Sequence, residues 1–429
     1  MQTDKLRSLC FKIGSGATPR GGSAIYISQG VSLIRSQNIY NDGFKYDGLA
    51  YIDKNAADSL MNVEVKENDN LLNITGDSVA RSCIVPNNIL PARVNQHVAI
   101  IRPDPSKLDF RFLHYLLISE TMQDRLLSLA GGGATRKALT KAMIEDLDIP
   151  QLPISDQRFI SHYLGSLDDK IELNRRMNET LEAIARAIFK SWFIDFDPVR
   201  AKAEGKQPFG MDEETAAMFP SEFEDSELGE IPKGWKCGKL TDVVEIGPKR
   251  KLSKGVMAPY LDMASVPVNS CRVTDWYERE FTSGSKFIKG DVLLARITPC
   301  LENGKTAYVD FLDEGQVGWG STEFIVLRSR AEIPAPYAYF LARSENFRSY
   351  AIQSMTGSSG RQRVPESALK EYGMVVPPIR LLQRYGDLSD RFMAMIYANS
   401  EQSRTLASIR DILLPKLLSG EIRVPMEAD

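Results

Sequence analysis

Two stretches of this chain set glycine beside clustered cations. One is Gly131-Gly132-Gly133-Ala134-Thr135-Arg136-Lys137, and the other is Gly357-Ser358-Ser359-Gly360-Arg361-Gln362-Arg363. Glycine permits close backbone approach to a ligand. Arg and Lys neutralise phosphates, and Arg, Asn and Gln make paired hydrogen bonds with base edges. The combination suits a nucleic-acid backbone; a helix end followed by solvated cations is the plainer alternative. Residues of the same types elsewhere extend the candidate set. They are Arg20, Arg35, Gln37, Asn38 and Arg81 early in the chain, and Lys249, Arg250, Lys251, Lys254, Arg296 and Lys305 later. Lys249-Arg250-Lys251 is the densest group, and any one of these residues taken alone is better explained by solvation.

Signals for catalysis fail on inspection. Gly304-Lys305-Thr306 ends like a phosphate-binding loop, but Pro299 stands where that loop needs its first glycine. Gly14-Ser15-Gly16 lacks the third glycine of a dinucleotide fingerprint. Glu64-Val65-Lys66 is a string common by chance. His97, His114 and His162 are dispersed, which suggests core or surface roles rather than a metal site. No metal-binding or catalytic residue is expected.

The candidate loops recur because the chain repeats itself. Shifted by 225 positions, Leu116 falls on Leu341, Ser119-Glu120 on Ser344-Glu345, Gly132 on Gly357, Arg136 on Arg361 and Pro153 on Pro378. Each copy continues into a heptad seam, the pattern of a helix that needs another helix along its length. In the first copy the seam is Leu164, Leu167, Ile171, Asn174, Asn178, Leu181, Ala185, Ile188 and Trp192, within a segment from Ser155 that would be roughly 57 Å long as a helix. In the second, Phe392, Ile396, Asn399, Leu406, Leu413 and Leu417 take the same places. Asp197-Pro198 is expected to end the first helix, and Pro415 to kink or end the second near Leu413.

Length and composition agree with a multidomain globular chain: 429 residues, 43% hydrophobic, with no apolar run long enough to span a membrane. The N-terminus lacks the long apolar segment of a secretory signal. Five scattered cysteines form no paired motif and point to reduced, cytoplasmic thiols. The net charge of −3 is uneven. Residues 211–230 hold eight acids and no base, so the remainder carries +5. The acidic run is read as part of a solvated linker.

With these features in place, the chain resembles the DNA specificity subunits of type I restriction-modification systems. The resemblance rests on residues 14–26 (GSGATPRGGSAIY), 33–39 (LIRSQNI), 189–205 (FKSWFIDFDPVRAKAEG), 228–235 (LGEIPKGW) and 413–424 (LLPKLLSGEIRV), together with the tandem repeat. It implies an α+β fold: two mixed α/β target recognition domains separated by two long antiparallel coiled-coil helices, in a pseudo-twofold tandem repeat. The domains expected are recognition domain 1 over 1–150, spacer helix 1 over 151–195, a linker over 196–234, recognition domain 2 over 235–376, and spacer helix 2 with a tail over 377–429.

The resemblance further implies that each recognition domain reads half of a split sequence in double-stranded DNA, while the helices set the gap and dock two modification subunits. Those subunits would carry S-adenosylmethionine and methylate adenine, with restriction subunits joining them. This chain would then be a non-catalytic part of the complex, holding no cofactor. In keeping with that, no Asn/Asp-Pro-Pro-aromatic string occurs, and Val376-Pro377-Pro378 only leads into the second helix. The second module lacks the GATPRGG segment, having EIGPKRKLSKG (245–255) instead, so the modules are expected to read different DNA. A duplicated coiled-coil scaffold that binds proteins is the alternative, and a single-chain enzyme the more distant one.

Two structural expectations follow. Asn174 and Asn399 lie near the middles of their segments, so fully overlapping antiparallel helices would bring them together, fixing register at a cost in stability. Trp192, Phe193 and Phe196 are expected to pack onto the neighbouring module rather than to form a docking surface.

Overall fold

Alternation of side chains across a strand decides the layering. Adjacent residues Leu71 and Leu72, and Ile100 and Ile101, are both buried, but in two different cores. A sheet apolar on both faces needs a layer on each side. The computed structural model describes residues 2–19, 21, 25–131, 137–358 and 360–422. It divides into two units, Met1–Ile171 with Arg404–Asp429, and Glu172–Ser403.

In unit 1 the central sheet is antiparallel, in the order Cys10–Ser15, Val98–Pro103, Asn70–Asn73, Ser82–Ile84. One face packs on a second sheet, ordered Ala50–Ile52, Val31–Ile34, Ala92–Val94, Glu64–Val65, in which Val31–Ile34 and Ala92–Val94 run parallel. The other face is covered by the helices Phe110–Ile118 and Glu120–Gly131 through Phe112, Leu113, Leu117 and Leu126. Asp109 starts the first of these by accepting the amides of Arg111 and Phe112, both at 3.0 Å.

Unit 2 repeats the plan strand for strand. Its central sheet is Val244–Ile246, Phe324–Ser329, Val292–Ala295, Thr306–Tyr308. Its second sheet is Tyr277–Glu280, Met257–Leu261, Val317–Gly320, Ser285–Ile288, and the middle pair is again parallel. The helices Ala335–Arg343 and Glu345–Gln353 cover the free face. A two-stranded ribbon closes each plan: Thr3–Lys5 with Asp148–Pro150, and Lys236–Lys239 with Gly373–Val376.

The long helices are Ile154–Phe193, of 40 residues, and Ile379–Ser419, of 41. Within unit 1, Ile160 and Leu164 of the first share a core with Leu414 and Leu417 of the second. Within unit 2, Ala185, Phe189 and Trp192 share one with Leu381, Leu382 and Tyr385. As one helix advances the other retreats, so they are antiparallel. The seam residues Leu167, Ile171, Leu181, Ile188, Phe392, Leu406 and Leu413 are half-buried, and Ile396 is buried.

The two asparagines meet, though not side chain to side chain. Asn174 Nδ2 donates to the Asn399 carbonyl (3.2 Å), Gln402 Oε1 (2.9 Å) and Ser403 Oγ (3.2 Å). The side chain of Asn399 instead donates to Asn178 Oδ1 (2.9 Å).

Two expectations change and a third gains detail. The second helix continues through Pro415 to Ser419, because burial of Leu414 and Leu417 on either side holds the turn that the missing N–H weakens. The first helix ends at Phe193, before Asp197-Pro198 as expected, and Pro198 then sits in the first turn of the helix Asp197–Ala203, where a proline needs no donor. The stretch read as a solvated linker is folded, with the helix Glu213–Ala217 and the hairpin Phe223–Ser226/Gly229–Pro232. Its acids have internal work: Asp212 accepts the Thr215 amide (2.7 Å) and pairs with Arg384 (2.8 Å). Trp192 packs on Phe219 and Phe196 on Trp235, with ring centroids 5.4 and 5.6 Å apart.

Candidate nucleic-acid interface

The candidate side chains lie on turns and connecting segments whose backbone is bonded the same way in both units. In unit 1 the Ile74 amide donates to the His97 carbonyl (2.9 Å), and the Leu139 amide to the Ile74 carbonyl (2.8 Å). In unit 2 the Arg296 amide donates to the Glu323 carbonyl (2.9 Å), and the Val364 amide to the Arg296 carbonyl (2.9 Å). The bridge between Thr75 and Ala138 matches that between Ile297 and Arg363. Amides of Asn73 and Ala295 likewise donate to the carbonyls of Arg81 (2.8 Å) and Lys305 (3.1 Å). Four candidates thus occupy corresponding frames, and the frame brings Arg296 beside Gln362 and Arg363.

In unit 2, Gly357 and Gly360 have φ of 122° and 80°, which a side chain would strain, so the loop before Arg361 needs glycine at both places. Arg361 is exposed, with no ion pair among the described residues. The Gln362 carbonyl accepts from the Thr298 amide (3.0 Å). Arg363 grips Glu323: its Nε lies 3.0 and 2.9 Å from the two carboxylate oxygens, and its Nη2 2.6 Å from Oε1. That bond holds the Glu323 carboxyl below the usual glutamate range.

Lys249 and Lys251 line a shallow depression with Pro248, Arg250, Gly284 and Lys286. Lys249, Lys251 and Lys254 are exposed cations suited to phosphates. Arg250 is not, and this corrects the expectation for the densest group. Its Nη2 donates to both oxygens of Asp291 (3.2 and 3.4 Å), which also accepts from Arg328 Nη1 (2.6 Å). Asp291 is fully buried, and a buried carboxylate needs such partners. Lys305 is likewise engaged, its Nζ donating to the Met263 carbonyl at 2.6 Å.

In unit 1, Arg20 and Arg136 lie outside the described residues. Lys137 is exposed. Arg35 Nη2 and Gln37 Nε2 both donate to the Gly48 carbonyl, at 2.5 and 3.2 Å. Gly48 has φ of 67°, a left-handed conformation that favours glycine. Arg81 stacks over Tyr40, 4.6 Å from the ring centroid. Asn38 is fully buried and cannot read a base. Its Oδ1 accepts the Arg35 amide (3.1 Å) and its Nδ2 donates to the carbonyls of Lys45 and Asp47 (2.9 and 3.2 Å), so it shapes the turn instead. Sequence reasoning passed over Lys286, Glu323 and Arg328, which become visible only once the strands bring them beside the candidates.

This doubled plan has a match. The family model for the type I restriction modification DNA specificity domain fits residues 5–183 and again residues 232–388, so it covers the paired four-stranded sheets of both units, most of the first long helix and the start of the second. The chain belongs to that family. Among relatives of this specificity subunit, the type I restriction enzyme MjaIX specificity subunit of Methanocaldococcus jannaschii is 28% identical, over 78% of this chain and 74% of that one. The HindI specificity subunit of Haemophilus influenzae is 24% identical, over 83% and 87%. A crystal structure of the type I restriction-modification S subunit from M. genitalium shares the fold, with a TM-score of 0.52 at 15% identity, covering 97% of this chain and 95% of that one. The subunit has, among its described residues, no helix long and apolar enough to cross a membrane.

Proposed function

We propose that this specificity subunit reads a split sequence in double-stranded DNA, one half with each unit, while its paired helices set the gap between the halves. The observation that carries this is the family match falling twice on one chain, over two units with one fold and different candidate side chains. Each long helix contributes residues to both units, crossing at Ile171/Glu172 and at Ser403/Arg404. A stiff helical element would suit two readers that need a set spacing, where a flexible tether would blur it.

The chemistry belongs to partners. Two modification subunits dock on the helices, bind S-adenosylmethionine and methylate adenine, and restriction subunits join the complex. The subunit itself holds no cofactor and works in the cytoplasm. Contacts to phosphate come from the exposed Lys137, Lys249, Lys251, Lys254 and Arg361, and base contacts from Gln37 and Arg363. Arg20 and Arg136 remain in the proposed set on sequence grounds.

The test is methylation by the complex reconstituted with and without this chain. Methylation at a two-part sequence only when the chain is present supports the reading. Equal methylation without it sinks the reading.

A further inference from the structure

Around Glu323 the backbone matches that of unit 1 while the side chains do not, and this contrast, which rests on the reading that unit 2 contacts DNA, carries one step further. Arg363 is fixed at both ends. Its amide donates to the Thr356 carbonyl (2.8 Å) and its carbonyl accepts from the Thr356 amide (2.9 Å). Its guanidinium is gripped by the two oxygens of Glu323. Glu323 is fixed in turn: its amide donates to Ser321 Oγ (3.1 Å) and its carbonyl accepts from the Arg296 amide.

The pair is half in solvent, with side-chain exposures of 44% for Arg363 and 23% for Glu323. Such pairs contribute little to stability. They do fix geometry. With a carboxylate on the Nε–Nη2 edge, the Nη1–Nη2 end is left for another acceptor, and Nη1 has only a long 3.4 Å contact with the Arg361 carbonyl. That end matches the spacing of O6 and N7 on the major-groove edge of guanine, and a fork held beforehand loses less freedom on binding than a mobile one. Among the described residues, unit 1 has no such fork at this place. His97 stands where Glu323 does and Ala138 where Arg363 does. His97 is occupied by its neighbours, with Nδ1 2.6 Å from Thr75 Oγ1 and Nε2 3.0 Å from Gln96 Nε2.

We infer that Glu323 is a specificity-determining positioning residue, which holds Arg363 so that this arginine reads a guanine in one half of the recognised duplex. The other half is read without an equivalent pair. The consequence is asymmetric: loss of Glu323 relaxes one base pair of one half-site and leaves the other half-site as it was.

The experiment uses the full subunit assembled with its modification subunits, acting on a duplex library randomised across the target, with methylated products sequenced. Glu323→Gln keeps size and removes charge; Arg363→Lys keeps charge and removes the fork. The wild type is expected to demand guanine at one position, and each variant to accept other bases there, discrimination falling about tenfold or more. Preference at every other position stays as in the wild type, while the rate on the guanine sequence falls toward the rate on the other three bases. If Glu323→Gln unfolds, as thermal melting would show, Arg363→Lys alone decides. Unchanged preference at every position overturns the inference. So does a uniform loss on all sequences, the mark of a structural or phosphate-bonding role. If the wild-type complex methylates no defined sequence, the underlying reading of the whole chain fails as well.

Discussion

The joints between sheet module and long helix are built differently in the two units. In unit 2 the joint is a buried carboxylate. Glu182 accepts from Tyr339 Oη (2.7 Å), the Cys271 amide (2.8 Å) and Arg186 Nη2 (2.9 Å). In unit 1 the corresponding work falls to a half-exposed one: Asp168 accepts from Tyr115 Oη (2.5 Å) and Arg410 Nη1 (2.7 Å). The repeat places His114 of unit 1 where Tyr339 stands, and there the ring is half-buried, with Nδ1 shielded from solvent and unpartnered. Duplication preserved the apolar alternation and the backbone frame, while polar groups at joints and turns diverged. Divergence of that kind leaves the scaffold intact and changes what its surface meets.

The largest expected effect breaks the comparison at its joints. Glu182→Ala strands the Tyr339 hydroxyl and the Cys271 amide in the interior and should destabilise unit 2 by about 3–5 kcal/mol, whereas Asp168→Ala should cost unit 1 about 1–3 kcal/mol. Hydrogen exchange of Val292–Ala295 and of Asn70–Asn73 reports each unit separately; equal losses would dissolve the distinction.

Next is pH. Burial pushes the His114 imidazole down to about 4, so the folded state resists a proton that the unfolded chain accepts below the ordinary histidine value. Stability of unit 1 therefore falls as pH drops from about 6.5 to about 4, by about 3 kcal/mol from this group. His114→Phe should flatten that part of the pH profile. A variant profile parallel to wild type would contradict it.

How far the sequence could carry these conclusions depends on the kind of interaction. The tandem plan and the seams were readable because apolar periodicity survives duplication: Leu167, Ile171 and Leu181 align with Phe392, Ile396 and Leu406. The meeting of Asn174 with Asn399 was readable from spacing alone. Its detail was not, since the side chain of Asn399 selects Asn178 once the helices pack. Among the cations, sequence could not separate Arg250 and Lys305, which are occupied internally, from Lys249, Lys251 and Arg361. That depends on whether a distant acceptor such as Asp291 or the Met263 carbonyl folds beside them. The acidic run misled for the same reason, because Asp212 meets Arg384 only in the fold.

Smaller effects sharpen the picture. Asn174→Ala removes one donor from three acceptors and should cost about 1–2 kcal/mol, read by chemical denaturation; no loss would show that the polar seam does not hold the helices. Arg361→Ala should weaken binding to all duplexes alike and reduce the salt slope of binding by about one. A change confined to one base pair would instead make it a base reader. Smallest is acidification of the Glu323–Arg363 pair. Its carboxyl sits below the ordinary glutamate value, so the pair is complete above that value and is lost only as pH falls through the folded one. Guanine discrimination by unit 2 should hold at pH 6.

Sequencing of methylated adenines in host DNA, with the wild-type chain and with Glu323→Gln, bears most directly on the claim that two like scaffolds read unlike half-sites. The expected result is a two-part motif with unequal halves and a constant gap, of which only one half relaxes in the variant. An undivided motif, or a motif indifferent to the presence of this chain, would contradict it.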